Sequence, residues 1–150
     1  MFVDAGLEFA DATSVGTPNN STVNVGDNFS IGDARDVGAG TPLYLVVNVT
    51  TAITSGGAAT VAFLLVSDAS TTIATDGTAT KHIETKAFAV ADLVAGFQVV
   101  VALPPEPPTY ELFLGVQVKE TASQALTAGN INAFLTTEPN LYRAYPDASN

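Results

Sequence analysis

The chain has 150 residues, of which 47% are hydrophobic and only 13% charged, a balance that favours one packed domain with a sizeable core over a disordered chain. Fifteen acidic residues against five basic ones give a net charge of −10, which repels a phosphate backbone, so nucleic acid is not an expected partner. The absence of cysteine excludes disulfides, thiol nucleophiles and thiolate metal sites together.

At the start, Met1 to Ala12 carries Asp4, Glu8 and Asp11 with no basic segment and no continuous apolar run, so no secretory signal is expected. No stretch reaches the roughly 18 apolar residues of a membrane span. The expectation is a soluble chain made in a cytoplasm, with no membrane partner. Phe2, Val3, Leu7 and Phe9 show no clean period, and residues 1–20 read as an N-terminal arm. Val23 to Ile31 is a weak strand. It is followed by a dense polar loop, in which Arg35 lies between Asp33 and Asp36 and can bridge them by bidentate pairing, while Gly38 and Gly40 permit positive φ where the chain enters the sheet. These acids do not follow the Asp-x-Asp-x-Asp-Gly calcium pattern, so a structural loop is expected and no metal.

Next, Leu43, Leu45, Val47 and Val49 alternate with Tyr44, Val46, Asn48 and Thr50, the period of a strand with one face in a core. Ser55 to Gly57 supplies a turn, and Val61, Phe63 and Leu65 form the inward set of the next strand. Weaker strands are expected around Thr72 to Thr75 and at Lys81 to Phe88. Val90, Leu93 and Val94 before Gly96 have helical spacing and predict a short helical turn over Ala89 to Ala95. Phe97, Val99, Val101 and Leu103 make another strand, ended by the proline-rich run from Pro104 to Pro108, which reads as a stiff connection. Leu112, Leu114, Val116 and Val118 follow. Leu126 to Gly129 reads as a turn with an anchoring leucine before a last strand of Ile131, Ala133 and Leu135. The result is an all-β domain over residues 21–137, with about eight strands in a closed or double-sheet arrangement. Residues 138–150 read as a C-terminal arm.

Few residues offer chemistry. His82 is the only histidine, which precludes a two-histidine metal site, and its polar alternating surroundings predict an exposed strand residue. No nucleophile elbow, phosphate-cradling loop or dinucleotide fingerprint is present. No catalytic residue, metal ligand or cofactor is therefore assigned, and an enzyme is not expected. More informative are the second faces of the strands, where Val46, Leu64, Val66, Val100, Phe113 and Phe134 stand where a solvated face would carry polar side chains. They are candidate interface residues, together with Tyr142, Arg143 and Tyr145 in the C-terminal arm, residue types enriched in binding hot spots.

Several motifs then point to a family. Ala34 to Gly40, Pro42 to Val47, Gly57 to Thr60, Leu93 to Gly96, the strand ending in Leu103-Pro104, Tyr110 and Leu126 to Gly129 resemble, in order, the Bordetella-phage-type capsid cement (decoration) proteins of tailed bacteriophages. The resemblance spans residues 21–137. It implies a jelly-roll β-sandwich on the exterior of an HK97-type capsid, where it fastens neighbouring major capsid protein subunits and stabilises the virion. The implied partners are the major capsid protein and further copies of the chain itself as a homo-oligomer. The competing expectation is a virion-displayed jelly-roll binding module, a lectin or host-adhesion domain.

Overall fold

The computed structural model describes residues 7–32, 40–104 and 109–139. Nine strands follow in chain order: β1 (Glu8–Ser14), β2 (Thr22–Ser30), β3 (Tyr44–Ser55), β4 (Thr60–Asp68), β5 (Thr80–Glu84), β6 (Phe88–Ala89), β7 (Gln98–Ala102), β8 (Phe113–Glu120) and β9 (Leu126–Thr136). A single 3-10 turn, Val90–Asp92, occupies the place of the expected helical turn.

The strands form two antiparallel sheets. One has the order β1-β9-β3-β7; the other has the order β2-β8-β4-β5, with the two-residue β6 also on β4. Apart from β6, the pairs β1·β9, β2·β8, β3·β7 and β4·β5 are nested about the β4–β5 connection. One long antiparallel ribbon, folded so that its successive strands fall alternately into the two sheets, gives this order. It is the jelly roll, and the pairs β3·β9 and β4·β8 join the halves of each sheet.

Alternation explains the core. Leu45, Val47 and Val49 of β3 and Ile131, Ala133 and Leu135 of β9 face Val61, Phe63 and Leu65 of β4 and Leu114, Val116 and Val118 of β8, all at most 3% exposed. These are the inward sets that period two predicts, packed between the sheets. Phe97, Val99 and Val101 pack at the rim of the same core.

Three expectations are corrected. The supposed N-terminal arm contains β1, an edge strand that buries Phe9 and Ala10, and Val15 just beyond it is fully buried. Its pairing with β9 shifts register between Glu8 and Ala10 and again between Ala10 and Thr13, and these irregularities erase the two-residue period from the sequence. Leu126 to Gly129 is not a turn but the first part of β9. Gly129 has φ of +139°, and a Cβ there would lie 2.7 Å from Ile53, so a glycine is needed inside the strand. Thr72 to Thr75 forms no strand; it belongs to the irregular connection between β4 and β5. Asp33, Arg35, Asp36 and Gly38 of the expected polar loop, and Tyr142, Arg143 and Tyr145 of the C-terminal arm, lie outside the described residues. Gly40 is described, exposed and at φ of +91°.

Candidate functional site

His82 is not the freely exposed residue its neighbours suggest. Its ring stacks on Tyr110 with centroids 3.7 Å apart and planes within 9°, and its Nε2 shares a 2.7 Å hydrogen bond with Ser67 Oγ. That distance suits a nucleophile and its base. Ser67, however, has no exposed surface, and its Oγ also accepts the Glu111 N–H at 2.9 Å, so the hydroxyl is not presented to a substrate. The cluster instead joins β4, β5 and the segment entering β8. Tyr110 continues it, donating from its hydroxyl to the Pro104 carbonyl at 3.2 Å. Among the described residues, no group of three histidine or acidic side chains is placed to hold a metal ion, and no helix is long and apolar enough to cross a membrane.

The second faces of the two sheets behave differently. On the five-stranded sheet, Leu64 and Val66 point away from the core but are only 6% and 2% exposed. They pack with Ala62 and with Ile73 from the β4–β5 connection, which folds back over the sheet. Gly115 of β8 makes this possible, because a Cβ at that position would stand 2.5 Å from Ile73 Cδ1. Polar side chains of β2, β8 and β4 pin the connection. Asn24 Nδ2 donates to the Ile73 carbonyl, Gln117 Nε2 to the Ala74 carbonyl and Asn28 Nδ2 to the Thr71 carbonyl. Asp68 accepts the N–H groups of Ala74 and Ser70, and these bonds hold its carboxyl below the usual carboxylate range. Leu64 and Val66 are therefore covered by their own chain, and an outward-facing interface role for them is withdrawn. Phe113, at the start of β8, is half-buried.

On the four-stranded sheet, Val100, Val46 and Phe134 form one cross-strand row on β7, β3 and β9. Val46 and Phe134 are buried, at 0% and 2% exposure, whereas Val100 is 42% exposed. The row is thus closed in the middle of the sheet and open at β7; Val46 and Phe134 are withdrawn as solvent-facing candidates for the same reason. Just before β7, Val94 is the other exposed large hydrophobic residue among those described, at 54%. It rims an apolar groove of about 530 Å³ that also includes Ile53, Ser55, Ala58, Val90 and Leu93. The stretch from Leu93 to Leu103 runs beside β3, with the Ile53 N–H donating to the Leu93 carbonyl and the Leu103 N–H to the Leu43 carbonyl. Both exposed valines therefore lie along one margin of the molecule.

That margin differs from the other sheet edges. The edge strand β1 carries Glu8 and Asp11, β2 carries Asp27, and β5 carries Lys81 and Glu84, and each of these pairs with a register shift. Charges and bulges of this kind block further strand addition. The sequence of β7, Gln98 to Ala102, has no charge, and its pairing with β3 has no shift. Sequence reading singled out Val100 but missed Val94, which it placed only as part of a short helical turn. The Gln-Val-Val-Val-Ala run was the available signal for an uncharged edge strand.

Comparison with known proteins gives a family match, described as Bbp16, over residues 9–135. This covers both sheets from the second residue of β1 to the next-to-last residue of β9. No curated protein matches the chain.

Proposed function

This chain belongs to the Bbp16 family, a Bordetella phage protein family, and from that premise we propose that it is a non-enzymatic capsid cement protein. In this reading it sits on the outer surface of an HK97-type shell and fastens neighbouring major capsid protein subunits, while copies of the chain also meet one another there. The observation that carries the reading is that, among the described residues, the exposed large hydrophobic side chains are Val94 and Val100, along one margin, of a jelly roll whose Ser67 hydroxyl is fully buried and already bonded to His82 and to the Glu111 N–H. Such a molecule is equipped for contact, not for turnover. The net charge of −10 agrees with a place outside the shell, away from packaged nucleic acid.

No chemistry is needed for the effect. A protein that binds the assembled arrangement of subunits and not the separated subunits adds its binding free energy to the stability of the assembly. Where one copy spans two subunits, the second contact becomes intramolecular and weak attachments accumulate. Co-sedimentation of the purified chain with empty shells tests this, followed by cryo-electron microscopy of the loaded particles. Saturable attachment at fixed exterior positions, with raised thermal stability of the shell, is the expected result. A chain that stays in the supernatant at every ratio overturns the reading.

A further inference from the structure

We infer that the end of the jelly roll where the connections β1–β2, β3–β4, β5–β6, β6–β7 and β8–β9 meet is the end seated on the shell, and that it receives an uncharged part of the major capsid protein surface with projecting apolar side chains. The inference deepens the proposed function by naming the contact surface and the chemistry of its partner, and it rests on that reading for the presence of a shell.

Strand pairing brings these connections together. Ser55 at the end of β3 lies opposite Leu126 at the start of β9. Val61 of β4 lies between Glu120 at the end of β8 and Phe88 of β6, and Thr22 at the start of β2 lies opposite Lys119. Hydrogen bonds then tie one connection to the next. The Leu126 N–H donates to the Pro18 carbonyl at 3.1 Å, the Gly56 N–H to the Ala125 carbonyl at 3.3 Å and the Val90 N–H to the Ala59 carbonyl at 3.1 Å. Glu120, only 1% exposed, fastens β1–β2 to β8–β9, its carboxylate accepting the Asn20 and Ala122 N–H groups at 2.6 Å each. A surface held in this way loses little further freedom on binding.

Charge picks out the same end. Residues 15–21, 56–59, 85–87, 90–97 and 121–125, which form the five connections, are all described, and their charged side chains are Lys86 and Asp92, of opposite sign. By contrast, the β1 and β2 edges carry Glu8, Asp11 and Asp27, and β5 and the β4–β5 connection carry Glu84 and Asp76. In a chain of net charge −10, this end can give up its water without stranding surface carboxylates against a partner. It also holds the apolar groove of about 530 Å³, with Ala58, Val90 and Leu93 in its walls and the exposed Val94 at its rim.

The groove decides between occupants. A second copy docked end to end would need a self-complementary surface. Among the described residues, Val94 is the exposed large hydrophobic side chain that this end offers, and one valine fills only a small part of the groove. The side chains that fill it therefore come from a different protein surface, which in the proposed role is that of a capsid subunit.

Co-sedimentation with empty shells, titrated with the full chain and with point variants, tests the inference. Ala58→Asp and Val94→Asp each add a carboxylate at an exposed position of this end, where thermal unfolding should stay near that of the wild type. Each should raise the concentration for half-saturation roughly tenfold or more, while the uncharged Ala58→Ser and Val94→Thr should stay within about threefold. Thr71→Asp makes the same charge change at an exposed position of the β4–β5 connection and should also stay within about threefold, which separates lost contact from added net repulsion. Cryo-electron microscopy of the loaded wild-type particles should show this end against the shell. Attachment that ignores Ala58→Asp and Val94→Asp, an equal loss from Thr71→Asp, or a map with this end pointing outward overturns the inference and leaves the cement reading standing. A shell-free dimer that Ala58→Asp and Val94→Asp dissolve overturns it as well, by giving the end to a second copy. A wild-type chain that never attaches removes the cement reading and this inference with it.

Discussion

Ile73 stands between Thr72 and Ala74 in a stretch with no other large apolar side chain, and nothing in its local sequence assigns it a partner. In the fold it is 3% exposed and closes Leu64 and Val66 from solvent. Truncation to alanine should cost about 2–4 kcal/mol, the range for emptying a buried isoleucine site, measured by urea unfolding. Gly115→Ala introduces a Cβ that would meet Ile73 Cδ1 and should cost about 1–3 kcal/mol through overpacking. The two are coupled, so Gly115→Ala should cost clearly less in the Ile73→Ala background than alone. Strict additivity would show that the glycine serves some purpose other than seating Ile73.

At the scale of elements, the β4–β5 connection is a clip whose strength depends on protonation. Asp68 is held below its ordinary pKa by the N–H groups of Ala74 and then Ser70. Glu84 is held below its own by hydrogen bonds from Lys81 and Lys119, in a network that is partly exposed and screened. With the folded value depressed, the Asp68 contribution is fully present above the unfolded value of about 4 and is lost as pH falls through the lower, folded value. Thermal unfolding of Asp68→Asn should therefore lie below the wild type at neutral pH, and the gap should close on acidification below about pH 4. A constant gap across that window would mean that the carboxylate charge does not hold the clip. The same connection marks where sequence reading ends. Strands β3, β4, β7 and β8 were legible because Leu45, Phe63, Val99 and Val116 each belong to uninterrupted alternations bounded by turn residues. β1 was not, since its bulges place Phe9 and Ala10 side by side in the core, and the start of β9 was hidden by Gly129, a turn former in sequence that here serves a close approach to Ile53. Of the six apolar residues on the second faces, alternation assigned the direction correctly for Val46, Leu64, Val66, Val100 and Phe134. What covers Leu64 and Val66 comes from a residue several positions away in an irregular segment, and no local pattern encodes it.

For the whole molecule, the balance between repulsion and contact is the central physical question. Each copy brings ten net negative charges, so in the proposed role a crowded exterior layer would cost electrostatic energy that attachments to the shell would have to offset. Attachment through the C-terminal segment would add one such tether. The last pairing of β9 with β3 is Tyr44 with Thr136, so removing Glu138 to Asn150 leaves every described strand intact, and the truncated chain should still unfold cooperatively. Its occupancy on empty shells should fall, because losing one of several linked attachments sacrifices the effective concentration that the remaining contacts enjoy. The loss should be steepest at subsaturating protein, where single attachments are too weak to hold a copy alone. Quantifying bound protein per particle against free concentration, for both chains at the same salt, separates the possibilities. A right-shifted curve with the same plateau is the signature of a lost tether, and superimposable curves would show that residues 138–150 take no part in attachment.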